Sequence, residues 1–440
     1  MIHPKSKHRV VITGMGIICP LAHDIENFWN ALMEGKSGID KTTIFDASTF
    51  PSTFSAEVKD FDHLKYTSQP EQHNGCNRGT GFSIAATAQA CKQAGIDIET
   101  ENPTDNIDRE RLGIYLGAGE GSTDNDMFFT SLAESWDNEK REINWDKWAN
   151  TALPMMDAMR ELEQEPNMPV SHIAAMTGAR GIVRSCLTAC AASTQATGEA
   201  SMLVRNGDAD VVITGGAHSM IHQLGLTGFN RLTALSTKND SPQTASRPFS
   251  ASRDGFILGE GSAILIIESL ESAKKRGAKI LAEISGYGSS SDAFRVTDMH
   301  EEGRGAVQAI NAALVDAGIT YKDIDYINAH GTSTAENDSI ETLAIKKAFK
   351  ERARQIPVSS IKSMMGHLIG ATGAAELISC VLALRENTIP PTMNLDDPDP
   401  ELDLDYVPNK PRKVQLNTVL NESFGFGGQN NVVIVKRFRE

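Results

Sequence analysis

Ser185-Cys-Leu-Thr-Ala-Cys190-Ala-Ala-Ser-Thr-Gln-Ala-Thr-Gly-Glu-Ala-Ser-Met-Leu-Val-Arg205, continued by Asn206-Gly-Asp-Ala-Asp210 and Val211-Val-Ile-Thr-Gly-Gly216, reads as a buried helix feeding a buried strand. From Ala191 nearly every residue is small or apolar, which lets a helix run through a crowded interior; residues 211–213 are a β-branched run closed by glycines. Cys190 opens that helix. Free backbone N–H groups and the positive dipole end there favour thiolate, the attacking species in cysteine chemistry. A lone cysteine among alanines is more often a small buried hydrophobe, so its neighbours in the fold decide between the two readings.

The rest of the chain alternates strands and helices: a strand at 10–13, helices at 25–33 and 82–93, strands at 112–116 and 263–267, and a helix at 270–276. Three ordered correspondences then point to an internal duplication. Val10-Val-Ile-Thr-Gly-Met-Gly16 has a partner in Leu281-Ala-Glu-Ile-Ser-Gly-Tyr-Gly288. Ile114-Tyr-Leu-Gly-Ala-Gly-Glu-Gly-Ser-Thr123 has one in Tyr326-Ile-Asn-Ala-His-Gly-Thr-Ser-Thr334. The helix at 191–205 is echoed at 368–385, both sharing Ala-Thr-Gly, a glutamate and a terminal arginine. The halves are expected at 1–270 and 271–440, with a surface insertion at about 122–169 in the first.

Packing the halves about a pseudo-twofold axis sets the two small-residue helices back to back. Their starts then converge, bringing together Cys190, His367 and, from the loop after Asn328-Ala-His330, His330. Each histidine alone is more often a hydrogen-bonded structural residue, and Lys362 alone an ordinary solvated charge. Together they describe a nucleophile with two imidazoles.

Composition sets the outer limits. The chain has 440 residues, 40% hydrophobic and 22% charged, as an ordinary globular protein does. A net charge of −15 argues against a nucleic-acid binder or an anionic-membrane partner. Six cysteines without CxxC spacing give neither a disulfide framework nor a zinc motif. Gly14, Gly16 and Pro20 break the apolar run at the amino terminus, so a core strand is expected there rather than a signal peptide. A cytoplasmic protein is the expectation.

Further motifs sharpen this reading: Thr188-Ala-Cys-Ala191, Gly207-Asp-Ala-Asp-Val-Val212, Ser246-Arg-Pro-Phe249, Arg253-Asp-Gly-Phe256, Lys362-Ser-Met-Met-Gly-His367, Pro390-Pro-Thr-Met-Asn-Leu395 and Ser423-Phe-Gly-Phe-Gly-Gly428. With Asn328-Ala-His-Gly-Thr-Ser-Thr334, this ordered set resembles the β-ketoacyl-acyl-carrier-protein synthases of the elongating type II kind, within the thiolase-fold condensing enzymes. The resemblance covers nearly the whole chain. It implies an α/β fold of five layers, α-β-α-β-α, with two pseudo-twofold-related halves.

The resemblance also implies chemistry and roles. Cys190 would take an acyl group from a carrier-bound thioester, and His330 and His367 would hold a malonyl thioester while carbon dioxide leaves. The backbone N–H groups of Cys190 and Phe424 would form the oxyanion hole, with Phe424 as a gate flanked by Gly425, Gly427 and Gly428. Thr332 and Thr334 would bind the pantetheine arm, Lys362 and Glu341 would support the histidines, and Glu120 and Phe229 would line the acyl pocket. Expected partners are an acyl carrier protein and a second copy of the chain. No metal and no resident cofactor are implied, since the phosphopantetheine arm arrives on the carrier.

Three departures from the family pattern stand out. Glu120 replaces an aliphatic pocket residue; because a buried unpaired carboxylate is costly, it turns away, finds a partner, or faces a short or polar acyl group. The usual basic docking pair is absent from His73-Asn-Gly-Cys-Asn-Arg78, leaving Arg78, with Arg231 and Lys238 as substitutes. The segment between Ser122 and Pro169 is longer. Two alternatives carry contrary marks. A non-catalytic chain-length-factor subunit would lack the cysteine, and a degradative thiolase would carry a second catalytic cysteine near the carboxyl end.

Overall fold

The computed structural model describes residues 8–119, 121 and 124–440. Ten strands form one mixed sheet: β1 (Val10–Ile18), β2 (Leu112–Ala118), β3 (Val183–Cys186), β4 (Val211–His218), β5 (Gly261–Ser269), β6 (Ala282–Ser291), β7 (Tyr326–Asn328), β8 (Val358–Ser359), β9 (Thr418–Gly425) and β10 (Gln429–Lys436). Across the sheet they run β8-β7-β9-β10-β6-β1-β5-β4-β2-β3. Outward from the central β6–β1 pair the two sides match strand for strand. Antiparallel β1–β5 and β5–β4, then parallel β4–β2 and β2–β3, are repeated as antiparallel β6–β10 and β10–β9, then parallel β9–β7 and β7–β8.

Six helices complete the layers: α1 (Arg78–Ala94), α2 (Met168–Thr177), α3 (Ala192–Asn206), α4 (Arg304–Ala317), α5 (Ala335–Phe349) and α6 (Thr372–Glu386). Helices α3 and α6 pack on each other and on strands of both halves, while α1 covers β1 and β5, and α4 covers β6 and β10. This is the duplicated α-β-α-β-α arrangement, and the small residues of α3 and α6 are what allow two helices to occupy the middle layer. Residues 372–384 of α6 are all buried.

The repeated glycines of β1 and β6 have a steric cause. A Cβ on Gly14 would lie 2.3 Å from the carbonyl oxygen of Ala90 in α1, and one on Gly286 2.4 Å from that of Ala313 in α4. Both ladders shift register there, between Ile12 and Gly14 and between Ile284 and Gly286. The covering helices come so close that only glycine fits.

Several boundaries differ from the sequence expectation. Strand β1 runs on to Ile18 and β4 to His218, because their glycines serve close packing rather than chain reversal. Helix α3 starts at Ala192; residues 189–191 form a tight turn, so Cys190 sits just ahead of the helix. A further helix, Gln223–Arg231, lies in a stretch to which the sequence pattern assigns no element. In the insertion, helices Asn125–Ser135, Trp145–Met155 and Ala158–Leu162 lie at the surface, with Trp145 and Leu153 largely exposed. Among the described residues no helix is long and apolar enough to cross a membrane.

Candidate active site

The turns ahead of α3 and α6 are equivalent. Ala189 and Ile369 open them with left-handed φ values of 47° and 48°, a conformation that is strained for both. Cys190 occupies one turn and Gly370 the same place in the other. The sharp turn lifts Cys190 to the point where the halves meet, and Ile369 packs beside it.

His330 stands two residues beyond β7. The carboxylate of Glu341, reaching back from α5, accepts the N–H of His330 (2.6 Å) and of Gly331 (2.7 Å), and so fixes the strand end. His367 is held in extended chain against residues 257–259: its N–H donates to the carbonyl of Ile257 (2.8 Å) and its carbonyl accepts from Gly259 (2.9 Å). Its Nδ1 lies 2.8 Å from the hydroxyl of Thr372 in the first turn of α6.

These three paths converge. One ligand atom each from Cys190, His330 and His367 lie within 4.8 Å of one another. The imidazoles meet edge to face, centroids 5.5 Å apart at 82°, and Phe256 stands edge-on to His367 at 5.2 Å. Behind them Lys362, 1% exposed, donates from Nζ to the carbonyl of His330 and pairs with Glu376 of α6. It is a buried charge, not the solvated one its residue type suggests.

Burial governs the electrostatics. It pushes the Cys190 thiol up to about 11; the Lys362 ammonium and the backbone N–H groups of Phe426 and Cys190 pull it down less strongly. Burial thus works against the thiolate expected from a helix start, and Cys190 stands ahead of the helix. Burial, then Lys362, holds both imidazoles well below the ordinary histidine value, so both are neutral. Burial likewise raises Glu376 to about 7 and Glu341 to about 8. Glu422 of β9 is fully buried, both its carboxyl oxygens lack a hydrogen-bond partner, and burial, then Glu341 and Glu376, lift it well above the carboxylate range.

Thr332 and Thr334, hydroxyls 2.9 Å apart, line a cavity of about 440 Å³ that reaches Cys190, His330 and His367. Phe229 is half-buried, edge-on to Phe256 at 5.4 Å, in the apolar cluster that contains Cys190. Glu120 lies outside the described residues. Arg78 is engaged internally: its Nε bonds the buried Glu260 (2.7 Å) and its guanidinium lies over Phe82. About one third of its side chain remains exposed.

The gate expectation also needs correction. Phe424 lies inside β9, paired with Asn430, 4% exposed, its ring 5.8 Å from that of His330. Phe426 follows in the turn, half-buried on the cavity wall, and its backbone N–H is the one that bonds the Cys190 sulfur. Gly425, Gly427 and Gly428 flank Phe426, so the signal was present in Ser423-Phe-Gly-Phe-Gly-Gly428. Only knowing where the strand ends separates the two rings. Glu376 and Thr372 were also missed, although the glutamate shared by the duplicated helices pointed to the former.

One thiol and two imidazoles are zinc-ligand types. A cation held there would face the buried Lys362 ammonium, which donates to the His330 carbonyl.

A buried cysteine between two neutral histidines at the meeting of duplicated α/β halves defines a thiolase-like condensing enzyme. The chain matches the family descriptions "Beta-ketoacyl synthase, N-terminal domain" over residues 7–273 and "Beta-ketoacyl synthase, C-terminal domain" over 281–396. It is 42% identical over 433 residues to a 3-oxoacyl-[acyl-carrier-protein] synthase 2 of Synechocystis sp., covering 98% of this chain and 99% of that one. It is 40% identical to the Vibrio harveyi protein of the same name, covering 99% and 100%. Among solved structures it resembles a β-ketoacyl synthase from Burkholderia phymatum (TM-score 0.86, 30% identity, 98% and 100% covered). It also resembles a type II polyketide ketosynthase bound to a hexaketide and in complex with its acyl-carrier protein (TM-score 0.85, 32% identity, 98% and 100% covered). The chain belongs to the β-ketoacyl synthase family. It is an elongating condensing enzyme, an acyltransferase, and not a non-catalytic partner subunit.

Proposed function

We propose that Cys190, His330 and His367 carry out the decarboxylative condensation of an acyl group with a malonyl thioester, both delivered by an acyl carrier protein. The observation that carries this is the convergence of the three side chains within 4.8 Å at the foot of one cavity. The Cys190 sulfur attacks the acyl thioester carbonyl; the new S–C bond replaces the carrier's, and the thiol proton leaves with the pantetheine sulfur. The backbone N–H groups of Cys190 and Phe426 receive the developing oxyanion, an interaction that contributes roughly 3–4 kcal/mol in comparable sites.

Malonyl then occupies the cavity, its arm bonded by Thr332 and Thr334. Neutral imidazoles suit the next step, because each offers an N–H to the thioester oxygen without a proton strong enough to quench the carbanion. A Thr372 hydroxyl donating to Nδ1 of His367 leaves that proton on Nε2. The bond to the carboxylate breaks, carbon dioxide departs, and the enolate carbon attacks acyl-Cys190. Collapse expels the Cys190 thiolate, which takes a proton from solvent.

Phe426 is the gate in this reading, its turn freed by flanking glycines. Arg231, exposed at the end of its helix next to the cavity residue Leu232, and Lys238 serve carrier docking. Strand β3 ends the sheet with Val183, Arg184 and Ser185 exposed, which suits pairing with a second copy in a homodimer. Six free cysteines suit the cytoplasm. The pathway is fatty-acid or polyketide-like chain extension. Intact-protein mass spectrometry after incubation with loaded carriers tests the assignment: wild type gains one acyl adduct, and an equal adduct on Cys190→Ser removes Cys190 from its role.

A further inference from the structure

Arg253, in Arg253-Asp-Gly-Phe256, takes no part in the chemistry above, yet its side chain is 5% exposed and each of its five N–H groups has a partner. Nε donates to the carbonyl of Thr334 (3.2 Å). Nη1 donates to the carbonyl of Ser250 (2.8 Å) and to Asp399 (2.7 Å), and Nη2 to the carbonyl of Ala335 (3.2 Å) and the hydroxyl of Ser339 (3.0 Å). Asp338 adds a carboxylate 3.8 Å from Nε.

These bonds join the two walls of the cavity. Asp254, Gly255 and Phe256, which follow Arg253 in the chain, form one wall, and Thr332, Thr334 and Ala335 belong to the other. The second wall is strained. Ser333 has φ 71°, the left-handed region, directly between the two threonines. It is clamped on every side: its N–H donates to Asp338 (3.2 Å), its carbonyl accepts from Gly255 (3.0 Å) and its hydroxyl accepts from the N–H of Arg247 (3.0 Å).

We propose that Arg253 is a positioning residue that fixes the spacing of Thr332 and Thr334 to the opposite wall, and so sets the affinity for the carrier's pantetheine arm; this rests on the condensing function proposed above. A planar fork with five donors is what the site uses. Lysine, with three donors at one point, cannot reproduce it.

The test is steady-state kinetics of Arg253→Lys and Asp399→Asn with acyl- and malonyl-carrier substrates, alongside the rate at which iodoacetamide, which uses no arm, alkylates Cys190. Arg253→Lys is expected to raise KM for malonyl carrier about tenfold with kcat changed less than about threefold and alkylation unchanged, and Asp399→Asn to shift KM the same way by less. An unchanged KM, a fall confined to kcat, or alkylation slowing in step with turnover overturns the proposal. Wild type that alkylates normally but condenses no carrier-bound pair sinks the condensing function instead. Arg253 is then judged by direct binding of malonyl carrier, where the same tenfold weakening is expected and its absence is decisive.

Discussion

Lys362 and Glu376 form an ion pair in which neither side chain is more than 1% exposed, and the same ammonium donates to the carbonyl of His330. One cation thus ties the strand end that carries a histidine to the middle-layer helix of the same half. Removing one partner of such a pair leaves the other buried and uncompensated, which typically costs roughly 3–5 kcal/mol. Lys362→Met is expected to lower stability by about that amount, and the double variant Lys362→Met/Glu376→Gln to recover part of it. Urea unfolding midpoints with unchanged slopes measure both. A double variant as unstable as the sum of the singles would show that the two groups are not coupled.

Phe424 and Phe426 separate a packing ring from a moving one. Phe424 fills the space between Ala306 and Ala344, so Phe424→Ala should destabilise by roughly 3–5 kcal/mol. Phe426 is half-buried in a turn, so Phe426→Ala should leave stability within about 1 kcal/mol while condensation falls at least tenfold. Thermal unfolding beside turnover of malonyl carrier distinguishes them. Equal loss of stability in both would return Phe426 to the core.

What the sequence made legible follows from how each signal is encoded. The duplication was readable because packing forces it to recur: Gly14 and Gly286 answer the same helix approach, and the small residues of α3 and α6 the same crowded layer. Cys190, His330 and His367 were readable as types in ordered motifs. What was not legible depends on depth. A dipole argument favours the thiolate at Cys190, whereas its burial, not visible in the sequence, works the other way. The bond of Arg78 to Glu260 joins residues 182 positions apart, and a residue-by-residue pattern could not say that β9 ends between Phe424 and Phe426.

The exposed edge of β3 predicts the assembly. Leu187 and Met202 lie open to solvent nearby, and an unpaired strand edge with apolar neighbours is a pairing surface. Sedimentation should give twice the chain mass of 47.6 kDa, and Val183→Lys with Leu187→Lys should shift it to the monomer. A wild-type monomer at micromolar concentration would refute this.

Glu422 makes the sharpest prediction, because a buried carboxyl with neither oxygen partnered stores a cost that depends on pH. Its proton is held in the folded chain well above the ordinary range, whereas in the unfolded chain it leaves near 4.5. Above that value the unfolded state binds fewer protons than the folded one, so stability falls as pH rises, by ~1.4 kcal/mol per pH unit for one such group until the folded value is reached. The stability this carboxyl retains at acid pH is therefore lost towards neutrality. Glutamine keeps the shape and has no proton to release. Glu422→Gln should match wild type near pH 4.5 and exceed it increasingly from pH 5 to 8, read as a widening gap between their urea midpoints. Parallel curves across that range would mean that Glu422 finds a partner or sheds its proton in the folded enzyme as readily as in water.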